Sequence, residues 1–291
     1  MFLSDKWKDY ELLDARCGEK LERWGNIILR RPDPQIVWDI QKDKQSPLWE
    51  KADAVYIRSN TGGGRWEVKH KMPESWSINY GELQFGIKRM GFKHTGLFPE
   101  QAANWDWFSD IIKKSGRNDV NVLNLFAYTG GATMAASNAG ASVCHVDASK
   151  GMVSWAKENA ALSGLLNRPI RYIVDDVKKF VEREIRRGRK YDGIIMDPPS
   201  YGRGPSGEVW KVEYEIFSLV STCLNVLSEK PLFFLINSYT TGLSGSITEN
   251  ILKLTLQEKF GGKISVDEVG LPISNGGLVL PCGCSGRWES R

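Results

Sequence analysis

From Val120 to the carboxyl end, short apolar runs alternate with longer stretches of helical period. The runs "NVLNLFAY" (121–128), "SVCHVDA" (142–148), "IRYIVDD" (170–176), "DGIIMD" (192–197) and "PLFFLINSY" (231–239) are apolar at consecutive positions, as strands covered on both faces are. Helices are predicted between and after them, at about 131–139, 150–163, 176–187, 213–228 and 245–259. Strands alternating with helices predict an α/β fold built on a parallel sheet. The chain closes with "KISVDEVGLP" and "GGLVLPCGCSGRW", separated by the turn signal "SNGG" and no helical pattern, so the last pair should be antiparallel. Upstream, "NIILRR", "AVYIRS" and "WSINYGELQFGIK" are short, rich in β-branched and aromatic residues, and bounded by Gly, Pro, Asn or Asp. These predict a small β-rich accessory domain over residues 1–90, followed by the α/β domain over 91–291. Eight of the 11 tryptophans lie in the first 110 residues, where most are expected in the core of the β-unit.

Composition narrows the setting. With 291 residues, 41% hydrophobic and 25% charged, the chain is that of a globular protein. Apolar runs such as Leu232 to Ile236 fall far short of the roughly 20 residues that a bilayer crossing needs. The start "MFLSDKWKDYE" lacks a signal-peptide core, so a cytoplasmic protein is expected. Five irregularly spaced cysteines and three histidines predict reduced thiols and no metal site. A net charge of +4 permits a nucleic-acid partner without requiring one.

Open α/β sheets bind ligands at the carboxyl ends of their strands. The first strand ends in "AYTGGAT", where Gly130 and Gly131 let the backbone turn tightly and approach a ligand before a helix begins. The second ends at Asp147, which can accept both hydroxyls of a ribose or cap a helix, a role that Ser149 also suits. The third ends in Asp175 and Asp176, a carboxylate pair able to take the exocyclic amine of adenine. A dinucleotide loop needs G-x-G-x-x-G and a P-loop needs G-x-x-x-x-G-K-[ST], and neither pattern occurs here. S-adenosylmethionine, a nucleoside without phosphate, suits the loop better. The fourth strand ends in "DPPSYGRGP": Asp197 and the rigid backbone at Pro198 offer two acceptors for an amine or the edge of a base. Tyr201 can stack on that base, an interaction worth about 1–3 kcal/mol. Arg203 is the candidate phosphate contact. The basic run "KKFVEREIRRGRK" reads better as a solvated helix face with cations near its negative end.

Together "VLNLFAYTGGAT", "HVDASKGMVSWAKENAALSG", "DDVKKF" and "DPPSYGRG" resemble the motifs of class I S-adenosylmethionine-dependent methyltransferases. The likeness, from about Arg23 to Trp288, is to the family that includes bacterial 23S ribosomal RNA cytosine-5 and guanine-N7 methyltransferases. It implies a Rossmann-like seven-stranded sheet whose last strand is antiparallel, preceded by a small β-domain. It also implies a base of RNA, ribosomal RNA or a ribosomal subunit, as substrate. By that likeness Asn124, Tyr128 and Gly130 line the methionine end of the cofactor, with Phe126 in the same loop. Asp147 holds the ribose beside Ala148 and Ser149, Asp176 the adenine beside Asp175, and Asp197 the methyl-transfer site.

Two departures stand out. Many members begin with an RNA-binding PUA domain, whereas only about twenty residues precede the β-unit here. The segment "HTGLFPEQAANWDWF" resembles "TG-F-DQR--NR" of the ribosomal enzymes, with Ala102 in place of the arginine. Glu100 and Gln101 then border the cofactor, or the segment is a loop leading into an amphipathic helix. Methylating cytosine C5 needs a cysteine thiolate to add to the ring first. Cys223 reads as a buried small hydrophobe, while Cys282 and Cys284 share one face of the last strand. The Asp-Pro-Pro-x-aromatic form favours nitrogen methylation instead. A protein or small-molecule acceptor, a non-catalytic RNA-binding factor on the same fold, and a homodimer all stay open.

Overall fold

The computed structural model describes residues 1–59, 63–203, 209–240 and 242–290, with the Arg203 side chain outside that description. The chain divides into two compact units: Met1–Phe2, Asn104–Val269 and Gly283–Arg291 form one, and Leu3–Ala103 with Gly270–Cys282 form the other.

The larger unit is built on β1 (Asn121–Leu125), β2 (Ser142–Asp147), β3 (Ile170–Val174), β4 (Gly193–Met196), β5 (Phe233–Ser238), β6 (Lys263–Pro272) and β7 (Val279–Glu289). They run in the order β3-β2-β1-β4-β5-β7-β6, and the two-residue strand Phe2–Leu3 adds an eighth at the edge beside β6. Strands β1 to β5 are mutually parallel, and β7 pairs antiparallel with β5. This is the sheet predicted from the apolar runs. All four residues of β4 and all six of β5 are buried, which is why their sequences show no alternation. Gly193 opens β4 because a Cβ there would lie 2.4 Å from the ring of Phe233, its partner across the sheet.

The helices are α1 (Ala102–Lys114), the amphipathic helix that was one of two readings of its segment, and α2 (Gly131–Asn138), α3 (Lys150–Leu162), α4 (Val177–Arg186), α5 (Val212–Cys223) and α6 (Gly245–Leu252), which fall in the predicted stretches, α5 ending five residues early. The single helix expected over 245–259 is divided after α6 by a π-helical turn at Lys253–Gln257. Helix α4 carries the basic run, and its cations are tied into the fold. Arg183 pairs with Asp175, Lys178 with Glu215, and Arg187 with the buried Glu184, which also accepts from the Tyr191 hydroxyl at 2.6 Å. The solvated-face reading of this helix therefore fits better than a phosphate grip.

In the smaller unit, a five-stranded sheet runs Tyr10–Arg16, Glu19–Trp24, Ile27–Pro32, Ala54–Arg58, Gly64–Val68, and Ser75–Tyr80 forms a hairpin with Leu83–Lys88. Its first strand lies within the roughly twenty residues expected ahead of the β-unit, and its second begins there. They meet at a two-residue turn in which both Cys17 (φ 46°) and Gly18 (φ 76°) are left-handed, the geometry that matches strand twist in tight hairpins. The segment 91–103 clusters with this unit for a visible reason. Pro99 carbonyl accepts from the Ser4 hydroxyl (2.7 Å) and the Trp7 indole (2.9 Å), and Lys93 carbonyl accepts from Arg31 (2.9 Å). Ser4 N–H donates to Gly270 carbonyl and Leu12 bridges to Ile273, which tethers 270–282 to the same body.

This unit is centred on an ion pair. Glu22, 0% exposed, takes two hydrogen bonds from Arg31 (2.6 and 2.7 Å) and one from the Tyr10 hydroxyl (2.8 Å). Burial alone would raise the Glu22 pKa, but the charges of Arg31 and Lys20 and these hydrogen bonds overturn that and hold it at about 2. A depressed carboxyl stabilises the fold above its unfolded pKa near 4.5, and the benefit is lost as pH falls towards 2. Thermal unfolding followed by circular dichroism should show the melting temperature falling across that window in the wild type. Arg31→Ala, which strands a buried carboxylate, should cost about 3–5 kcal/mol at neutral pH. A variant as stable as the wild type would show the pair to be expendable.

Candidate active site

The parallel strands β1 to β5 all end on one edge. Leu125 of β1 stands opposite Val146 of β2 and Met196 of β4, and Asp147 stands opposite Val174 of β3. Three strand spacings of about 4.8 Å separate β3 from β4, so Asp175 and Asp176 lie about 14 Å along the edge from Asp197, with Asp147 and the glycine loop between them. The sheet thus puts the four motifs in one row.

The loop after β1 is held in a costly conformation. Phe126 (φ 55°) and Tyr128 (φ 50°) are left-handed although both are bulky, and Gly130 (φ 85°) follows as the cap of α2. Among the described residues only Cys17 shares this trait among non-glycines, so the strain is local to the loop. Asp147 supplies the restraint. Its Oδ2 accepts from Tyr128 N–H and its Oδ1 from Ser149 N–H, both at 2.8 Å. Burial raises the Asp147 pKa, partly offset by those two backbone donors. Two such bonds leave further acceptor capacity on the carboxylate, which has about four lone-pair sites.

Gly130 and Gly131 leave no room for side chains. A Cβ on Gly130 would lie 3.0 Å from the Ala156 methyl, and one on Gly131 would lie 2.5 Å from the Trp105 ring. Gly130→Ala, with about 1–2 kcal/mol of left-handed strain added, should weaken cofactor binding about tenfold and lower the melting temperature. Calorimetry with S-adenosylhomocysteine and a thermal melt check this; wild-type values in both would show that the loop tolerates the methyl group.

Beneath the loop lies a buried polar chain. Asn124, 2% exposed, donates to the Thr133 hydroxyl (2.9 Å), which meets His145 Nδ1 (2.9 Å). Burial pushes the His145 pKa down to about 3, so the ring is neutral, and its buried Nε2 has no hydrogen-bond partner among the described residues. The Asn124 amide, a candidate for the methionine end, also ties β1 to the start of α2 through Thr133. Neither Thr133 nor His145 was singled out from the sequence, because nothing in their spacing marks a network that crosses from β2 to α2.

The remaining residues take several roles. Ser149 caps α3, accepting from Met152 N–H, and Ala148 beside it is exposed. Asp176 caps α4 through Lys179 N–H (3.0 Å) while Asp175 pairs with Arg183. Asp197 is partly exposed and its N–H reaches Leu125 carbonyl (3.4 Å); Pro198 is buried. Pro199 carbonyl accepts from the Trp210 indole (2.6 Å), and the Ser200 and Thr240 hydroxyls are hydrogen-bonded, joining the ends of β4 and β5. Trp210 also packs on Phe126, ring centroids 5.3 Å apart, so one indole links the strained loop to the Asp-Pro-Pro turn. It was missed because a lone tryptophan 13 residues past Asp197 has no local signature. Tyr201 is 50% exposed, on a short ribbon (Tyr201–Arg203 with Val209–Lys211). Arg203 pairs there by its backbone; its side chain is outside the described residues. Gln101 and Glu100 are buried in a short turn, Pro99–Gln101, of the smaller unit.

No cysteine is poised as a thiolate. Burial pushes Cys144 to about 11 and Cys223 to about 12, and raises Cys282 and Cys284; the Cys17 thiol is raised by donating a hydrogen bond to the Asp39 carboxylate. Among the described residues, no group of three or more His, Cys, Asp or Glu could hold a metal ion.

These residues fit a nucleoside cofactor without phosphate. The evidence is the left-handed loop at the end of β1 and, beside it, a partly buried carboxylate with acceptor capacity to spare. The strand order, with its antiparallel β7, and the four strand-end motifs define a methyltransferase fold. A family model described as S-adenosylmethionine-dependent methyltransferase matches residues 59–217, more than half of the chain, and the chain belongs to that family. Its cofactor is S-adenosylmethionine.

Among solved structures, the SAM-dependent methyltransferase from Agrobacterium tumefaciens is 36% identical with a TM-score of 0.92, covering 99% of this chain and 93% of that one. SMU.776 complexed with SAH (19% identity, TM-score 0.72, 98% of this chain and 76% of that one) shares the fold. Curated relatives include the ribosomal RNA large subunit methyltransferase K/L of Shewanella frigidimarina, 33% identical over 56% of this chain, and that of Methylococcus capsulatus, 28% identical over 80%. The chain spans only 22% and 30% of the length of those two relatives. No helix among the described residues is long and apolar enough to cross a membrane.

Proposed function

We propose that this enzyme methylates a base nitrogen of RNA, ribosomal RNA first, in the cytoplasm. The observation that carries the proposal is the placement of Asp197 and the Asp-Pro-Pro turn on the same strand edge as the Asp147-pinned loop. The names of the K/L relatives support RNA as the acceptor class.

The bound cofactor supplies a methyl group on a positively charged sulfur. The chain has to hold the acceptor base so that one nitrogen lone pair faces that methyl, and alignment of this kind accounts for much of the rate. Asp197 and the Pro198 carbonyl accept hydrogen bonds from an amine on the base edge, which orients its lone pair. As the nitrogen gains charge during transfer, the Asp197 carboxylate stabilises it and then receives its proton. The Tyr201 ring covers the base and Arg203 meets the adjoining phosphate. Asn124, Phe126, Tyr128, Gly130, Ala148 and Ser149 stand as cofactor positions with Asp147, and Asp175 and Asp176 take the adenine end; Gln101 is a further candidate cofactor residue by the family likeness. Nitrogen is favoured over cytosine C5 because a ring adduct needs a thiolate, and every thiol here is raised above its ordinary pKa.

Tritiated methyl transfer from S-adenosylmethionine separates the acceptor classes. Label should enter deproteinised ribosomal RNA or isolated ribosomal subunits, and nucleoside digestion should give an N-methylated base. Label in protein or in small molecules alone would refute the RNA reading, and 5-methylcytosine would refute the choice of nitrogen.

A further inference from the structure

Next to the Asp-Pro-Pro turn the surface presents exposed rings. The ribbon formed by Tyr201–Arg203 and Val209–Lys211 has two faces. On one, Trp210 packs against Phe126. On the other lie Tyr201 and Lys211, which are directly opposite in register and so project together. Lys211 leads into α5, and its Nζ sits 5.6 Å from the centroid of the Tyr214 ring. Phe217 is three residues further on, the spacing that makes neighbours on a helix surface. Tyr214 is 75% and Phe217 49% exposed, while their neighbours Ile216, Leu219 and Val220 fill the core. Rings left this open add little to folding, and a contiguous exposed patch marks a place where something docks. Of the two acids in the first turn of α5, Glu215 is paired with Lys178 and Glu213 is exposed.

The geometry points to a stacking platform for the unpaired RNA nucleotide that flanks the target base, with Tyr214 and Phe217 as its rings and Lys211 as its phosphate contact. This rests on the RNA reading above. Base–aromatic stacking is the common means of holding single-stranded RNA, because every base has a π-face. A second copy of this chain is the less suitable occupant, since a lysine would lie at the centre of the covered patch and lysines are depleted from interface cores. The patch is also continuous with Tyr201, so a nucleotide seated on it is one step along the strand from the base held at Asp197.

The double variant Tyr214→Ala, Phe217→Ala tests the platform, with deproteinised ribosomal RNA as methyl acceptor and a short fluorescein-labelled oligoadenylate as a binding probe. Because both rings are exposed, the melting temperature and the affinity for S-adenosylhomocysteine should not change. The KM for RNA should rise about tenfold to a hundredfold with kcat preserved, and oligoadenylate affinity should fall in parallel. Lys211→Ala should reduce the slope of log affinity against log salt by about 0.7. RNA methylation with KM unmoved in the double variant would overturn the platform and leave the RNA reading standing. A wild-type protein that neither methylates nor binds RNA would remove both. A wild-type dimer converted to monomer by the double variant, with KM for RNA unchanged, would assign the patch to a second copy and overturn the platform.

Discussion

Asp197→Ala should reduce methyl transfer by about a thousandfold while leaving cofactor affinity within a factor of two. Both halves of that expectation have a physical basis. The carboxylate follows β4 on the strand edge, while the restraints on the loop after β1 run through Asp147. Removing it deletes an acceptor that aligns the base and receives its proton, and such a group contributes about 10²–10⁴ in rate. Asp197→Asn should recover part of the alignment but not the proton acceptance, and so fall between wild type and alanine. Initial rates of tritiated methyl transfer, with calorimetric titration of S-adenosylhomocysteine, separate the effects. If both variants lose cofactor binding in proportion to activity, Asp197 belongs to the cofactor site and the base-presenting role is lost.

The second large effect is at Asp147. Asp147→Ala should weaken S-adenosylmethionine binding by about a hundredfold or more. The carboxylate satisfies two backbone donors at 2.8 Å, one of them in a loop where Phe126 and Tyr128 are held left-handed. Leaving a buried donor unpaired costs about 1–3 kcal/mol, and 1.4 kcal/mol is a factor of ten in affinity. Without the carboxylate the loop should relax to ordinary φ values, and the ribose contact is lost as well. Asp147→Asn keeps one acceptor oxygen and should bind between wild type and alanine. Calorimetry checks the affinity, and amide hydrogen exchange of residues 126–131 checks the loop; slow exchange with full affinity in the alanine variant would mean that something other than Asp147 holds it.

Much of the larger unit could be read before any coordinates, because burial on both faces imposes continuous apolar runs such as Ile194-Ile195-Met196, and strand ends are where the turn chemistry changes abruptly. The last two strands were legible as a pair without a crossover helix, and they are neighbours in the sheet, with β7 antiparallel to β5. The first hairpin of the smaller unit was not, for an equally physical reason. Its inward positions include Asp14 and Glu22, both fully buried, so the alternation that announces a half-buried strand is broken by charges that pair only in three dimensions. The candidate site was legible residue by residue where glycine, proline or acid marks a strand end. It was illegible where side chains meet across elements, as Trp210 meets Pro199 and Phe126, or Thr133 meets His145. A sequence shows which residues can cap, turn or accept. It does not show that the Asn124 amide meets Thr133, because that depends on how α2 packs on the end of β1.

The most direct measurement is a crystal structure of the enzyme with S-adenosylhomocysteine bound. The ribose hydroxyls should lie within hydrogen-bond distance of the Asp147 carboxylate, the adenine beside Asp176, and the sulfur facing Asp197. Density for the nucleoside away from the row of strand ends, or an Asp147 side chain turned from the ribose, would contradict the shared pocket on which the proposed chemistry depends.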